Sequence, residues 1–192
     1  MNIGFNEETS EGSQSKFIDV TPEKSIAGGR FLNDISVSDA ESGDCYLNVE
    51  IRDKDNKTAN RRFYEPKIGG FVKDEDDLKK AQNKIVGIGA NIVRRYKGEQ
   101  ASVSGTNWRE FFNNIVTAVK STPDWDKKEI RAKVVLNKDN FPTLPGYPPI
   151  FEDISVPISE SKLRLTEYDN VVKAPIRPDV DITDEGTDKV DF

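Results

Sequence analysis

The chain has 192 residues and a formal net charge of −6 at pH 7, and its 35% hydrophobic and 32% charged residues suffice for one folded domain. It contains one cysteine, Cys45, and no histidine, which excludes an internal disulfide framework, a conventional zinc site and Ser-His or Cys-His catalytic pairs. No apolar run is long enough to span a bilayer and no signal peptide is recognisable, so we expect a cytoplasmic protein without membrane contacts.

The negative charge is concentrated in the two terminal segments. Residues 1–24 carry −3 and residues 179–192 carry −5, which leaves +2 for the residues between them. We predict a flexible N-terminal arm over residues 1–24, a folded domain over residues 25–174 and a disordered acidic tail over residues 175–192. The few apolar residues of the arm, which allow a short edge strand, are Phe17, Ile18 and Val20.

The first predicted elements are strands. An imperfect apolar alternation between Arg30 and Val37 indicates one strand. Residues 45–52 then alternate apolar and polar side chains, the pattern of a strand with one buried face. A polar turn over residues 53–57 and a returning strand complete a predicted hairpin over residues 45–65.

Two helices are predicted next. Apolar residues recur at spacings of three and four over residues 75–97, with acids at the start and basic residues at the end, where the helix dipole favours them. Thr106 or Asn107 can cap a second helix, which Pro123 stops. Gly87-Ile88-Gly89 lies inside the first helical pattern, so we interpret it as close helix packing rather than a dinucleotide-binding turn.

The remaining strands are predicted over residues 130–137 and 150–158, separated by a proline-rich loop. Five strands with helices between the third and fourth predict a mainly β fold with an α insertion, specifically an OB-fold-like five-stranded barrel with two helices between strands 3 and 4. A generic α+β sandwich built from the same elements is the alternative.

No motif favours an enzyme. Residues 53–57 resemble the start of a calcium loop, but Lys57 occupies a position that needs an oxygen ligand and the required glycine is missing. The sequence also lacks a phosphate-binding Walker loop. We therefore expect a protein without catalytic activity, cofactor or bound metal.

The outward positions of the predicted strands combine aromatic and basic residues. Bases stack on aromatic rings while cations neutralise phosphates, and this combination binds single strands independently of sequence. The predicted DNA-binding residues are Tyr46, Arg52, Arg62, Tyr64, Arg131 and Lys133. Phe141 and Tyr147 in the proline-rich region can also stack on bases. The alternative is that these are ordinary exposed side chains of a half-solvated sheet.

The acidic tail finishes with an aromatic ring beside a carboxylate, which suits a partner's apolar pocket with a cationic rim. A purely solubilising tail is the alternative, but it leaves the ring without a role. The predicted partner-binding residues are Asp184, Glu185, Asp188, Asp191 and Phe192. An acidic segment ending in Phe resembles the tails of bacterial and bacteriophage single-stranded DNA-binding proteins. The hairpin over residues 46–64 and the helical insertion before Ile130 are similar to phage members.

Two departures qualify this resemblance: Lys189 interrupts the acidic run, and Asp191 replaces the proline of the bacterial tails, which suits the phage type. The resemblance implies an OB-fold that coats DNA during replication and recombination in the host cell cytoplasm. It also implies tail contacts with polymerase, helicase or primase, and competition between the tail and DNA. We also expect a possible homodimer. The main alternative is a virion structural or assembly protein with an acidic interaction tail, and a carboxylate-based hydrolase is the least favoured.

Overall fold

The structure is a computed structural model that describes residues 15–173. The described chain forms a five-stranded antiparallel sheet, a small two-stranded sheet and two α-helices. The strands are β1 (Ile26–Asp39), β2 (Cys45–Asp53), β3 (Thr58–Tyr64), β4 (Glu129–Lys133), β5 (Val135–Leu136), β6 (Pro142–Thr143) and β7 (Phe151–Asp153). The helices are α1 (Glu75–Lys97) and α2 (Trp108–Lys120). The mainly β class and the helical insertion before β4 are confirmed.

The strands of the main sheet follow the spatial order β3-β2-β1-β4-β7. The first four form a Greek key, because β4 returns after the helices to lie beside β1. The predicted closed barrel is not formed, since β3 and β7 do not pair with each other. The chain between β4 and β7 instead approaches β3 through two side-chain hydrogen bonds, from Thr143 Oγ1 to the Asn60 carbonyl at 2.7 Å and from Arg61 to the Leu144 carbonyl at 2.8 Å.

Strand β1 bends so that it pairs with two neighbours. Its register shifts between Ala27 and Arg30 against β4, and between Leu32 and Asp34 against β2. Such bulges bend and twist a strand. Gly29 in the first bulge has a φ of +69°, a conformation that favours glycine. The buried Arg30 donates to the Ala132 carbonyl on β4, and burial lowers its pKa to about 10.

Both helices begin where the sequence provides caps. The Asp74 side chain accepts from the Asp77 N–H at the start of α1, and Asn107 accepts from the Glu110 N–H at the start of α2. Helix α1 therefore matches its predicted bounds. Gly89 allows the close approach of α2, because a Cβ there would lie 2.7 Å from Ile115 Cδ1. Among residues 15–173, neither helix is long and apolar enough to cross a membrane.

The core lies between the inner face of the sheet and the helices. Helix α2 contacts β1 and β2, whereas α1 contacts α2 and β7. The bulkiest fully buried apolar side chains include Leu32, Ile35, Leu47, Ile51, Ile92, Phe112, Ile115 and Phe151. Among residues 15–173, both α-helices pack on this inner side of the sheet.

The last strands are shorter than predicted. Residues 130–137 divide into β4, which pairs with β1 and β7 in the main sheet, and β5, which pairs with β6 in the small sheet. The predicted strand over residues 150–158 ends at Asp153, whose carboxylate accepts from the Ser155 N–H and forms a turn.

The beginning of the described chain is packed against the domain. Ile18 and Val20 are buried, and the Ile18 N–H bonds to the Thr58 carbonyl at 3.1 Å. These residues, which the sequence places in the flexible arm, therefore belong to the fold. Residues 1–14 of the predicted arm and the predicted acidic tail from residue 175 onward lie outside the described residues.

Candidate nucleic-acid interface

The outward side of strands β1–β3 carries most of the residues that the sequence predicts for DNA binding. Leu47, Val49 and Ile51 of β2 point inward and are buried, so the alternate side chains of β2 point outward. The pairing register places Tyr46 opposite Tyr64. We call this surface the outer face, and its outward residues include Phe31, Asp34, Tyr46, Glu50, Arg52, Arg62 and Tyr64.

Tyr46, Arg62 and Tyr64 form the first cluster of the outer face. The two tyrosine rings lie with centroids 5.2 Å apart at an angle of 47°, and the Arg62 guanidinium carbon lies 5.1 Å from the Tyr46 centroid. Arg62 is exposed and Tyr64 is 44% exposed. A hydrogen bond with Tyr64 raises the pKa of Arg62, so the guanidinium stays cationic. The cluster presents aromatic surface and positive charge together to solvent.

Arg52 and Phe31 form the second cluster, at the other end of β2. The Arg52 guanidinium carbon lies 5.0 Å from the Phe31 centroid, and its Nη2 lies 3.4 Å from the Asp126 carbonyl. Phe31 was missed by the sequence analysis. Its signal is the neighbouring Leu32, because a buried residue in a strand sends the adjacent side chain to the opposite face.

An acidic row separates the two clusters. Asp34 accepts from Ser36 Oγ at 2.8 Å and from Asn48 Nδ2 at 3.3 Å, and Glu50 accepts from Asn33. Tyr46 and Arg52 are six positions apart on β2, which corresponds to about 20 Å along the strand. The positive charge of the outer face is therefore confined to its ends, and its centre repels phosphates.

Arg131 and Lys133 are not on the outer face, and the prediction that they are exposed is wrong. Arg131 forms an ion pair with Glu152 at 2.8 Å, with both side chains about nine-tenths buried. Lys133 is 2% exposed. Its Nζ donates at 3.0 Å to the Tyr147 hydroxyl, to the Arg164 carbonyl and to Asp169. Strand β4 lies between β1 and β7 and is covered by the later chain, so it lacks a solvated face.

The other two aromatic candidates have different positions. The Tyr147 ring lies 4.3 Å from Lys133 Nζ and its hydroxyl bonds to Lys133, so this side chain belongs to the buried ion-pair network. Phe141 is 52% exposed and makes an edge contact with Phe17, with centroids 5.7 Å apart. Phe141 therefore offers aromatic surface to solvent, whereas Tyr147 has a packing role.

The predicted partner-binding residues, from Asp184 to Phe192, lie outside the described residues. Within residues 15–173, no group of three or more potential ligands among His, Cys, Asp and Glu is arranged to hold a metal ion. Compared with protein-family models and with curated proteins, the sequence matches none of them. Any functional conclusion therefore depends on the geometry of the site itself.

Proposed function

We propose that the protein binds single-stranded DNA, independently of sequence, through the outer face. The observation that carries this proposal is the solvent-facing cluster of Tyr46, Arg62 and Tyr64. Base–aromatic stacking contributes about 1–3 kcal/mol per base and tolerates every base, while an adjacent guanidinium neutralises phosphate and stacks on rings. Arg52 over Phe31 supplies a second site of the same chemistry.

The acidic row constrains how a strand lies on this face. Phosphates avoid Asp34 and Glu50, so the two ends of the bound segment engage Arg52 and Arg62. Among residues 15–173 the outer face presents two cations, Arg52 and Arg62, so the salt dependence of binding is moderate, since it scales with the number of neutralised phosphates.

The fold supports the same function. An OB-fold is a partly open five-stranded Greek-key barrel that binds oligonucleotides on its second and third strands. The order β3-β2-β1-β4 is a Greek key, with helices inserted before β4, and the outer face lies on β2 and β3. The main sheet is accordingly proposed to be an OB-fold opened between β3 and β7.

In the proposed role the protein coats DNA during phage replication and recombination in the host cytoplasm and catalyses no reaction. The segment 179–192 carries −5 and includes Phe192, so it suits a replication protein with a cationic, apolar pocket, such as a polymerase, helicase or primase. The same segment competes with DNA for Arg52 and Arg62. Removing residues 179–192 is therefore expected to tighten binding to DNA.

The test is titration of a labelled oligothymidylate at low and high salt. The double variant Tyr46→Ala/Tyr64→Ala should weaken binding by about 10-fold or more, since each stacked base contributes about 1–3 kcal/mol. Tyr168→Ala is the matched control, because Tyr168 is 82% exposed outside the outer face. Absence of binding at low salt, even after removal of residues 179–192, would refute the proposal. A virion assembly protein would show no preference for single strands over duplex.

A further inference from the structure

A row of side chains crosses the outer face at the end that carries the β2–β3 turn. The pairing register places Phe31 of β1 opposite Arg52 of β2, and Arg52 opposite Thr58 of β3. Phe17 continues the row, because it forms a parallel bridge with Thr58. Phe141 ends it, with a ring centroid 5.7 Å from that of Phe17. We call these five residues the transverse row.

Phe17 and Phe141 offer aromatic surface at the β3 side of the row. Phe17 points outward, because its neighbour Ile18 is buried and adjacent side chains of an extended chain point to opposite sides. The two rings are 46% and 52% exposed. Their planes meet at 67° in an edge contact, which covers at most one face of one ring. The remaining ring faces are free to stack on a ligand.

The transverse row has the dimensions and the order of groups that a single strand needs. Three strand spacings separate Phe31 from Phe17, or about 14 Å, and Phe141 lies beyond them. A ring, a guanidinium, a hydroxyl and two further rings follow one another, which combines base stacking with phosphate neutralisation. On the other side of Phe31 the next position is Glu129 of β4, whose carboxylate accepts from the Gly29 N–H at 2.7 Å. The row is therefore limited to the β1–β3 side of the sheet.

The side of the row that faces the middle of the sheet is acidic. Glu50 of the acidic row lies two positions before Arg52, or about 7 Å along β2. Asp19 lies on the same side, because the bridge of Phe17 is parallel to β3, and its carboxylate forms an exposed ion pair with Lys24 at 2.7 Å. Phosphates are therefore disfavoured on this side.

The opposite side, toward the β2–β3 turn, has an excess of cations. With Arg52 of the row itself, the cations are Lys16, Arg52, Lys54 and Lys57, and the acids are Asp53 and Asp55, which gives 4 − 2 = +2. None of the four cations forms an ion pair within residues 15–173. The Asp53 carboxylate is occupied by the Asp55 and Lys57 N–H groups, both at 2.9 Å. Near Phe141, Lys138 and Asp139 cancel.

We infer that a single strand bound to the outer face continues along the transverse row. Its bases stack on Phe17 and Phe141, and its phosphates follow the turn side, next to Arg52 and Lys57. This inference rests on the proposed function and adds two binding residues that lie outside the strands of the main sheet. It also gives the bound strand a direction at this end, across the β-strands instead of along β2, because that path leaves the acidic row.

The test is the affinity of the full chain for an oligothymidylate of about 16 nucleotides, the upper end of the site sizes of OB-folds. Phe17→Ala/Phe141→Ala should weaken binding by about 10-fold or more, since two stacking surfaces are lost. Phe71→Ala/Tyr168→Ala is the matched control, because these rings are 100% and 82% exposed outside the row, and its affinity should equal that of the wild type.

A second variant separates stacking from folding. Phe17→Tyr/Phe141→Tyr keeps both rings and should bind like the wild type, whereas loss of affinity in this variant as well would overturn the assignment to stacking. Photocrosslinking of the wild type tests the path without any substitution. An oligothymidylate that carries a photoreactive thymine analogue should crosslink to peptides containing Phe17 or Phe141, as identified by mass spectrometry.

The outcomes distinguish this inference from the proposed function. If the wild type binds single strands but Phe17→Ala/Phe141→Ala binds equally well, the inference is overturned and the proposed function stands. The two rings are then a contact surface for another protein. The same conclusion follows if crosslinks form only on β2 and β3. If the wild type does not bind single strands at all, both the proposed function and the inference are overturned.

Discussion

Lys133→Met removes the cation of the most buried ion pair in the described structure. Lys133 and Asp169 have side chains that are 2% and 1% exposed, and the lysine also donates to Tyr147 and to the Arg164 carbonyl. Methionine keeps most of the apolar stem but provides no donor. The substitution therefore leaves a buried carboxylate without its counter-ion.

The expected loss of unfolding free energy is about 3–5 kcal/mol, the usual effect of removing one partner of a buried pair. A domain of this size has an unfolding free energy of about 5–15 kcal/mol, so the variant should still fold but with a lower unfolding free energy. Replacing both partners, with Lys133→Met/Asp169→Asn, should recover part of the loss because no charge is then buried. The non-additivity of the two substitutions measures the coupling between them.

Urea unfolding with linear extrapolation provides the assay. Lys127→Met is the matched control, because Lys127 and Asp124 form an ion pair with both side chains 70% exposed. Its unfolding free energy should equal that of the wild type within error. An unchanged free energy in Lys133→Met, or equal losses in both variants, would refute the assignment of Lys133 to a stabilising buried pair.

The difference in unfolding free energy between the wild type and Lys133→Met should change with pH in a defined direction. Burial alone raises the pKa of Asp169, but hydrogen bonds from Tyr147, the Thr166 N–H and Lys133 outweigh it, and the pKa lies below the ordinary 3.8. In the wild type this stabilisation is complete above that ordinary pKa and is lost as the pH falls through the folded-state value. In Lys133→Met, protonation relieves the buried charge, so the deficit relative to wild type should shrink between pH 7 and 4. A deficit that grows on acidification would contradict this explanation.

Three further predictions follow from buried contacts. Arg131→Met should also lower the unfolding free energy by a few kcal/mol and leave oligonucleotide affinity unchanged. If the affinity fell while the stability stayed the same, Arg131 would be a DNA-binding residue. Gly89→Ala should lower the free energy of unfolding in urea by about 1–3 kcal/mol, since the added Cβ would lie 2.7 Å from Ile115 Cδ1. A variant more stable than the wild type would contradict the described packing of α1 against α2. Burial raises the pKa of Cys45 to about 11, so iodoacetamide should alkylate this thiol slowly at pH 8. An alkylation rate equal to that of the unfolded chain would show that the fold does not protect Cys45.

The sequence predicts elements well where local signals agree. Asp74 and Gly98 define the two ends of α1, and the apolar spacing at three and four residues extends between them, so all three signals are local in sequence. The β2–β3 hairpin is similarly determined by its alternation and polar turn. These elements place Tyr46, Arg62 and Tyr64 on one surface, as the pattern predicts.

The sequence fails at β4 for a reason of tertiary structure. Arg131 and Lys133 alternate with apolar residues, which is the pattern of a strand with one solvated face. Their partners, Glu152 and Asp169, lie 21 and 36 residues further along the chain. No local pattern shows that this later segment covers β4, so the two basic residues were assigned to the wrong environment.

The acidic row illustrates a second difficulty. The bulges of β1 shift its register against both neighbours. A one-residue shift exchanges the faces of a strand, so Asp34, which follows the shift against β2, could not be placed on the outer face without the pairing itself, whereas Phe31 precedes that shift. The structure therefore adds two features to the predicted interface: the Phe31 ring, which suits base stacking, and the acidic row, which repels phosphates.

The central claim is that Arg62 and its tyrosines bind single strands through the outer face. Its most direct test is oligothymidylate affinity at low salt for Arg62→Gln against Arg109→Gln, an exposed arginine of α2. We expect Arg62→Gln to weaken binding several-fold. It should also reduce the slope of log affinity against log salt concentration by about the amount that one phosphate contact contributes, whereas Arg109→Gln should leave both quantities unchanged. Equal affinities and equal salt slopes for the two variants would contradict the assignment of the outer face to DNA.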